Sequence, residues 1–154
     1  MSWVLKKFSE LTNHEIYRIL EERTRVFVVE QNCPYLEADG KDTACYHLFL
    51  EEEGVMQAYL RVVPPGVSYK QASLGRVLVK KEFRGNGLAH ELIKRGIEFV
   101  QHELRETVIK IQAQAYLEDF YGSFGFKAIS EPYIDDYIPH IDMLLSEKRA
   151  NNIQ

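Results

Sequence analysis

The segment from residue 84 to 89 places an arginine and two glycines between an alternating apolar run and a helical pattern. It reads Arg84-Gly85-Asn86-Gly87-Leu88-Ala89. A glycine-rich turn that enters a helix leaves the first backbone N–H groups without internal partners, and the helix dipole adds partial positive charge there. The glycines let a ligand approach the backbone closely, and the guanidinium of Arg84 suits phosphate oxygens. The segment therefore predicts a phosphate-binding turn.

Two common nucleotide-binding patterns do not describe this turn. The P-loop pattern GxxxxGK[ST] is absent, and GxGxxG fails because His90 occupies the third glycine position. What is present is Arg84-x-x-Gly87-x-Ala89, preceded by the strand-like run GRVLV. By itself, this pattern fits a purely structural turn as well as it fits a phosphate site.

The elements on either side of the turn are a predicted strand and a predicted helix. Residues 73–79 form the strand, and the helix after the turn has one apolar side, formed by Leu88, Leu92, Ile93, Ile97 and Val100. Residues 108–113 follow as another strand. A strand, a helix and a strand in this order form a crossover, so the two strands are predicted to be parallel, with a right-handed connection.

The rest of the chain predicts further strands and helices. Residues 3–8 read as a strand, and Thr12 with Glu15 forms a capping-box pattern for a helix that ends near residues 26–31. Two apolar runs around Glu53-Gly54 indicate a hairpin. Residues 115–124 read as a short helix closed by Gly125, and the weaker strand candidates are 126–129 and 139–145. The predicted fold class is α+β, layered α/β/α, with a mixed, mostly antiparallel sheet and helices on both faces.

Composition restricts the class of protein. A chain of 154 residues favours one domain, 1–154, and the formal net charge of −4 argues against a nucleic-acid binder. Cys33 and Cys45 lack CxxC spacing and fit two reduced thiols, with a disulfide or a reactive cysteine as the alternative. The N-terminal residues lack the apolar core of a signal peptide and no later run could span a bilayer, so the default expectation is a cytoplasmic protein without membrane contact.

A second motif lies further along, where residues 114–126 read QAYLEDFYGSFGF. Together with the turn at 84–89, and in this order, it resembles the GCN5-related N-acetyltransferase (GNAT) superfamily. In that superfamily, an R/Q-x-x-G-x-G/A turn binds the pyrophosphate of acetyl-CoA, and the later segment forms the helix beside the thiol. The strings VFVVEQNCPY, GRV, YGSFGF and IPHI, which together span most of the chain, resemble the ElaA-like branch of the superfamily.

The resemblance implies an acyl-CoA N-acyltransferase fold and transfer of an acetyl group from acetyl-CoA to a primary amine, by direct attack in a ternary complex. The turn would hold the pyrophosphate, and strand residues 77–79 would pair with the pantetheine arm. Gln114 stands where many relatives carry an asparagine that contacts the cofactor. The implied cofactor-binding residues are Val77, Leu78, Val79, Arg84, Gly85, Asn86, Gly87, Leu88, Ala89, Gln114 and Tyr121.

Tyr121 stands where the family places its general acid. A phenol with a pKa near 10 is protonated at neutral pH and can donate to the departing thiolate. Read without the resemblance, Tyr121 fits an amphipathic core residue near a helix end.

The general base is not carried over, because residues 73–79 contain no carboxylate where many relatives have a glutamate. The candidates are Glu30, His47 and His140, and His140 is the preferred residue of the substrate site. Arg23 is expected either to bind an anionic part of the acceptor or to brace the loop that follows it. The predicted catalytic residues are Tyr121, His140 and Glu30, and the predicted substrate-binding residues are Arg23, His47 and His140.

The sequence excludes one further kind of site and leaves two alternative functions open. Both HExxH-like starts lack the second histidine, because Lys94 and Glu106 occupy those positions, so no metal is predicted. The missing strand glutamate leaves a CoA-binding sensor without turnover as an alternative, and an acyltransferase that uses another acyl-CoA is a further one. The expected partners are acetyl-CoA and an unidentified amine, and the chain is expected to be a monomer or a homodimer.

Overall fold

A computed structural model describes residues 2–146 of the chain. The first helix, Asn13–Arg23, continues into a wider, π-helical turn, Thr24–Glu30, and short 3₁₀ turns precede several elements. The strands and helices are β1 (Ser2–Lys7), α1 (Asn13–Arg23), β2 (Tyr46–Glu52), β3 (Val55–Val63), β4 (Ser73–Val79), α2 (Leu88–His102), β5 (Val108–Gln114), α3 (Glu118–Gly122), β6 (Lys127–Ala128), β7 (Tyr133–Asp135) and β8 (Ile138–Ser146). The predicted element order is confirmed, and β7 is an additional strand of three residues.

The N-terminus of α1 is held by the predicted capping box. The Thr12 N–H donates to Glu15 Oε1 over 2.9 Å, and the Glu15 N–H donates to Thr12 Oγ1 over 3.1 Å. These two bonds satisfy donors that the first helical turn leaves open. Within residues 2–146, no helix combines the length and the apolar character needed to cross a membrane.

The strands form two antiparallel groups. The first group has the order β1-β2-β3-β4, and in the second group β5, β6 and β7 all pair with β8. The groups meet where Ala72 and Ile109 form a parallel bridge, and the Lys110 N–H donates to the Ala72 carbonyl oxygen over 2.9 Å. The predicted parallel direction of β4 and β5 is therefore confirmed. No further pairing joins the two strands within residues 2–146, so they separate toward their carboxyl ends.

A bulge in β4 accompanies this separation. Tyr59 lies opposite Leu78 and Arg61 lies opposite Gly75, so two residues of β4 face one residue of β3. One of the two is Arg76, which has a positive φ of 51°. A bulge bends its strand and increases the local twist, and here it changes the course of β4 at the point where β4 leaves β5.

The core occupies both faces of the first group of strands. On one face, alternate residues of β2 and β3, such as Leu50 and Leu60, pack in the same buried cluster as Leu92 of α2. On the other face, Phe49 and Tyr59 pack with residues of α1 and the π-helical turn in a second cluster. Since strand side chains alternate between faces, this arrangement confirms the predicted helices on both faces.

Candidate active site

A cleft of about 840 Å³ opens between the separating carboxyl ends of β4 and β5. Its walls include residues 74–79 of β4 and 111–114 of β5. The turn at residues 84–89 lies at one part of the wall, and Tyr121 and His140 lie at another. The residues of the predicted phosphate turn and the predicted catalytic residues thus share one cavity.

The turn before α2 presents free backbone donors. Gly85 and Gly87 have φ values of +86° and +81°, and no side chain caps the helix. A side chain at either glycine would meet no protein atom within 4 Å, so left-handed backbone rather than crowding requires glycine here. The first helical N–H with a backbone acceptor is that of Glu91, which donates to the Gly87 carbonyl over 3.2 Å. The preceding N–H groups are therefore available to an anion.

The side chain of Arg84 extends from this turn along the edge of β4. Its Nε donates to the Val79 carbonyl over 2.8 Å, and its Nη2 donates to Glu30 Oε1 over 2.8 Å. Two bonds leave other N–H groups of the guanidinium without partners among residues 2–146, so Arg84 can still donate to a phosphate. Glu30, which was predicted as a catalytic base, lies beside the turn of residues 84–89 in an ion pair with Arg84.

Most of the predicted cofactor-binding residues line the cleft. The lining includes Val77, Leu78, Val79, Arg84, Gly85, Gly87, Leu88, Ala89, Gln114 and Tyr121. Asn86 belongs to the same exposed turn but is not part of the lining.

Tyr121 combines a buried ring with a hydroxyl at the cleft. Its side chain packs edge-on against Phe120 and Phe126, with ring centroids 5.1 and 6.0 Å away. Within residues 2–146, no side chain or backbone group hydrogen-bonds to the hydroxyl. Burial raises the pKa of Tyr121 well above its usual value, with a smaller contribution from Tyr116. The phenol is therefore protonated at physiological pH and can donate a proton.

His140 lies in β8 directly opposite Gln114 of β5. Its Nδ1 lies 2.7 Å from the Ile138 carbonyl oxygen, and a carbonyl only accepts, so Nδ1 carries the proton. In the neutral ring, Nε2 is then the unprotonated nitrogen and can accept a proton. The ring stacks on Tyr133, with 6.5 Å between centroids. Among the three predicted bases, His140 has the arrangement that suits the role.

A closed ring of alternating charges, which sequence reasoning missed, supports one side of the cleft. Glu37 Oε2 accepts from Arg23 Nε and from Arg76 Nε, each over 2.6 Å, and Asp42 Oδ1 accepts from Arg23 and Arg61 over 2.7 and 2.9 Å. The ring consists in order of Arg23, Glu37, Arg76, Asp39, Arg61 and Asp42. It ties the loop between α1 and β2 to β3 and to the bulge of β4.

The ring keeps its aspartates ionised. Burial by itself would raise the pKa of Asp39, but the hydrogen bond and charge of Arg61 outweigh it and hold that pKa well below its usual range. The pKa of Asp42 is lowered in the same way against burial, by Arg23 and Arg61. Three arginines and three carboxylates balance in charge, so the ring forms a wall of the cleft with no net charge, to which Asp39, Arg61 and Arg76 contribute lining side chains.

Two predicted substrate residues, Arg23 and His47, lie behind this wall, and neither is among the residues that line the cleft. The side chain of Arg23 is fully buried and spans Glu37 and Asp42, so it braces the loop, which was the second of its two expected roles. His47 is buried as well, with Nδ1 2.7 Å from the Tyr59 hydroxyl and Nε2 2.9 Å from the Asp42 carbonyl oxygen. Burial lowers the pKa of His47. Both side chains are thus buried and hydrogen-bonded within the protein.

Sheet, cleft and free helix terminus together define an acyl-CoA N-acyltransferase fold. The comparisons agree: residues 21–147 match the family model "Acetyltransferase (GNAT) domain". Protein ElaA of Escherichia coli is 35% identical over 145 residues, which cover 93% of this chain and 95% of ElaA. A UPF0039 protein of Synechocystis is 37% identical over 145 residues, with 94% of each chain covered. The crystal structure of an acyl-CoA N-acyltransferase from Pseudomonas aeruginosa superposes with a TM-score of 0.90 at 40% identity, and covers 94% of this chain and 99% of that one.

The chain therefore belongs to the GNAT acetyltransferase family, in its ElaA-like branch. The family uses an acyl-CoA and an acceptor substrate, so the chain is an acyltransferase of that family.

Proposed function

We propose that the protein transfers an acetyl group from acetyl-CoA to a primary amine, within one complex of both substrates. The observation that carries this proposal is the cleft that joins the free N–H groups before α2 to the buried Tyr121. A donor bound at its diphosphate by those groups has a continuous path to the tyrosine.

The donor-holding residues fit the chemistry of CoA. Diphosphate oxygens would accept from the N–H groups of the turn at 84–89 and from Arg84. The edge of β4 that faces β5 and the cleft has no strand partner beyond Ala72 within residues 2–146. This edge offers backbone groups to the amides of the pantetheine arm.

Acyl transfer then needs two proton movements. The amine must lose a proton as its nitrogen forms the new bond to the acyl carbon, and His140 Nε2 is the proposed acceptor. The carbon–sulfur bond breaks, and Tyr121 is the proposed donor to the departing thiolate. Glu30 is retained as a carboxylate at the cleft, but its ion pair with Arg84 makes it the weaker candidate for the base.

The test is an acyl-donor assay on the purified protein with a broad panel of amines, in which released thiol is measured and CoA affinity is titrated by calorimetry. Binding together with amine-dependent thiol release from acetyl-CoA supports the proposal. Absence of CoA binding would refute it. Binding without thiol release for any amine would favour a sensor, and faster release from succinyl- or propionyl-CoA would assign another donor.

A further inference from the structure

Two adjacent residues at the end of the π-helical turn occupy two of the predicted cofactor contacts. Glu30 Oε1 accepts from Arg84 Nη2 over 2.8 Å, and Gln31 Oε1 accepts from Gln114 Nε2 over 3.2 Å. Arg84 follows β4 and Gln114 ends β5, so residues 30–31 bridge the two sides of the cleft. All four side chains belong to its lining.

The chemistry of the two contacts matches that of the proposed donor. A carboxylate oxygen stands where a phosphate oxygen would accept from Arg84, and a primary amide carbonyl stands where a pantetheine amide would accept from Gln114. We infer that Glu30 and Gln31 are an intramolecular occupant of the coenzyme site, which competes with acyl-CoA for Arg84 and Gln114. This inference rests on the proposed function, because it concerns the same cleft.

The local structure allows this displacement. The start of the π-helical turn is anchored by Val26, which is 7% exposed, whereas Val29 near its end is 68% exposed. The side chains of Arg84 and Glu30 keep 44% and 27% of their surface in solvent. Ion pairs with this exposure contribute little net free energy, so a diphosphate can replace the carboxylate.

Competition from the occupant should lower the affinity of the wild-type protein for CoA. Removing the charge of Glu30 removes the competitor for Arg84, so E30Q should bind CoA about 1.4-fold to fivefold more tightly, the scale of one partly exposed ion pair. The gain depends on Arg84, so E30Q should bring no gain in an R84A background.

The experiment is calorimetric titration of CoA into the full chain as wild type, E30Q, R84A and the double variant. E82Q is the matched control, because it removes an equal charge two residues from Arg84 and Glu82 has no hydrogen bond to it. Tighter binding by E30Q but not by E82Q, and loss of that gain with R84A, would establish the occupant. Equal or weaker binding by E30Q would overturn it, as would the same gain from E82Q.

A second variant tests Gln31, the other residue of the occupant. E30Q with Gln31→Ala should bind CoA at least as tightly as E30Q alone, and binding weaker than wild type would show that Gln31 assists the coenzyme. If wild type and every variant fail to bind CoA, the proposed function itself is wrong. If wild type, E30Q and E30Q with Gln31→Ala bind with one affinity while R84A binds more weakly, only the occupant is wrong.

Discussion

Replacing Tyr121 by phenylalanine removes one hydroxyl from the cleft and leaves the aromatic ring in its place. The ring contacts with Phe120 and Phe126 do not involve the hydroxyl, and no group within residues 2–146 hydrogen-bonds to it. The free energy of unfolding should therefore change by no more than ~0.5 kcal/mol. A general acid is typically worth about 10²- to 10⁴-fold in rate, or roughly 3–5 kcal/mol of transition-state stabilisation at 1.36 kcal/mol per tenfold. We expect kcat to fall by at least about tenfold, with CoA affinity unchanged.

The assay measures thiol release with the fastest amine of the panel, beside calorimetric titration of CoA and thermal unfolding. Tyr17→Phe is the matched control, since Tyr17 lies on α1 with 71% of its surface exposed. A fall in kcat of less than about threefold would refute the role of Tyr121 as acid. An equal loss of rate and affinity would mean that the hydroxyl binds the donor instead.

Three further predictions concern the turn and the charged ring. Arg84→Ala should weaken CoA binding by about 1.5–3 kcal/mol, the size of a charge-assisted contact, and unchanged affinity by calorimetry would show that Arg84 does not contact the diphosphate. Arg23→Ala should destabilise the protein by about 3 kcal/mol and lower Tm by about 6–12 °C, because the buried Glu37 and the partly buried Asp42 each lose a partner. Arg25→Ala removes the ion pairs of a half-exposed guanidinium with Glu21 and Glu22, and Glu22 keeps its ion pair with Lys80. It should cost less than ~1 kcal/mol, and a cost equal to that of Arg23→Ala would refute the buried ring as a source of stability. The pKa values of Asp39 and Asp42 are lower in the folded protein than in the unfolded chain. The stabilisation that these two carboxylates provide is therefore complete above about pH 4 and is lost as the pH falls further. Urea unfolding at several pH values should show this loss of stability, and a free energy of unfolding that stays constant down to about pH 2 would contradict it.

Much of the fold follows from local pattern. The capping box at Thr12, the Glu53-Gly54 hairpin and the crossover through α2 depend on residues close in sequence, and each was predictable for that reason. The turn at residues 84–89 was also visible in the sequence, because its left-handed backbone follows from Gly85 and Gly87 themselves.

The charged ring could not be found in this way. Arg23 and Glu37 are separated by 14 positions, and Arg76 and Glu37 by 39, so only the tertiary fold brings them together. The loop that contains Glu37 reads as a polar connection, and Arg76 occupies a left-handed position that its residue type does not signal. The same kind of long-range contact buries Arg23 and His47, and no local feature of the sequence indicates that burial.

The most direct test of the account is a crystal structure of the protein with CoA. We expect the diphosphate on the N–H groups before α2, Arg84 turned from Glu30 to a phosphate oxygen, and the sulfur beside the Tyr121 hydroxyl. A coenzyme bound outside the cleft, or a sulfur directed away from Tyr121, would contradict the account.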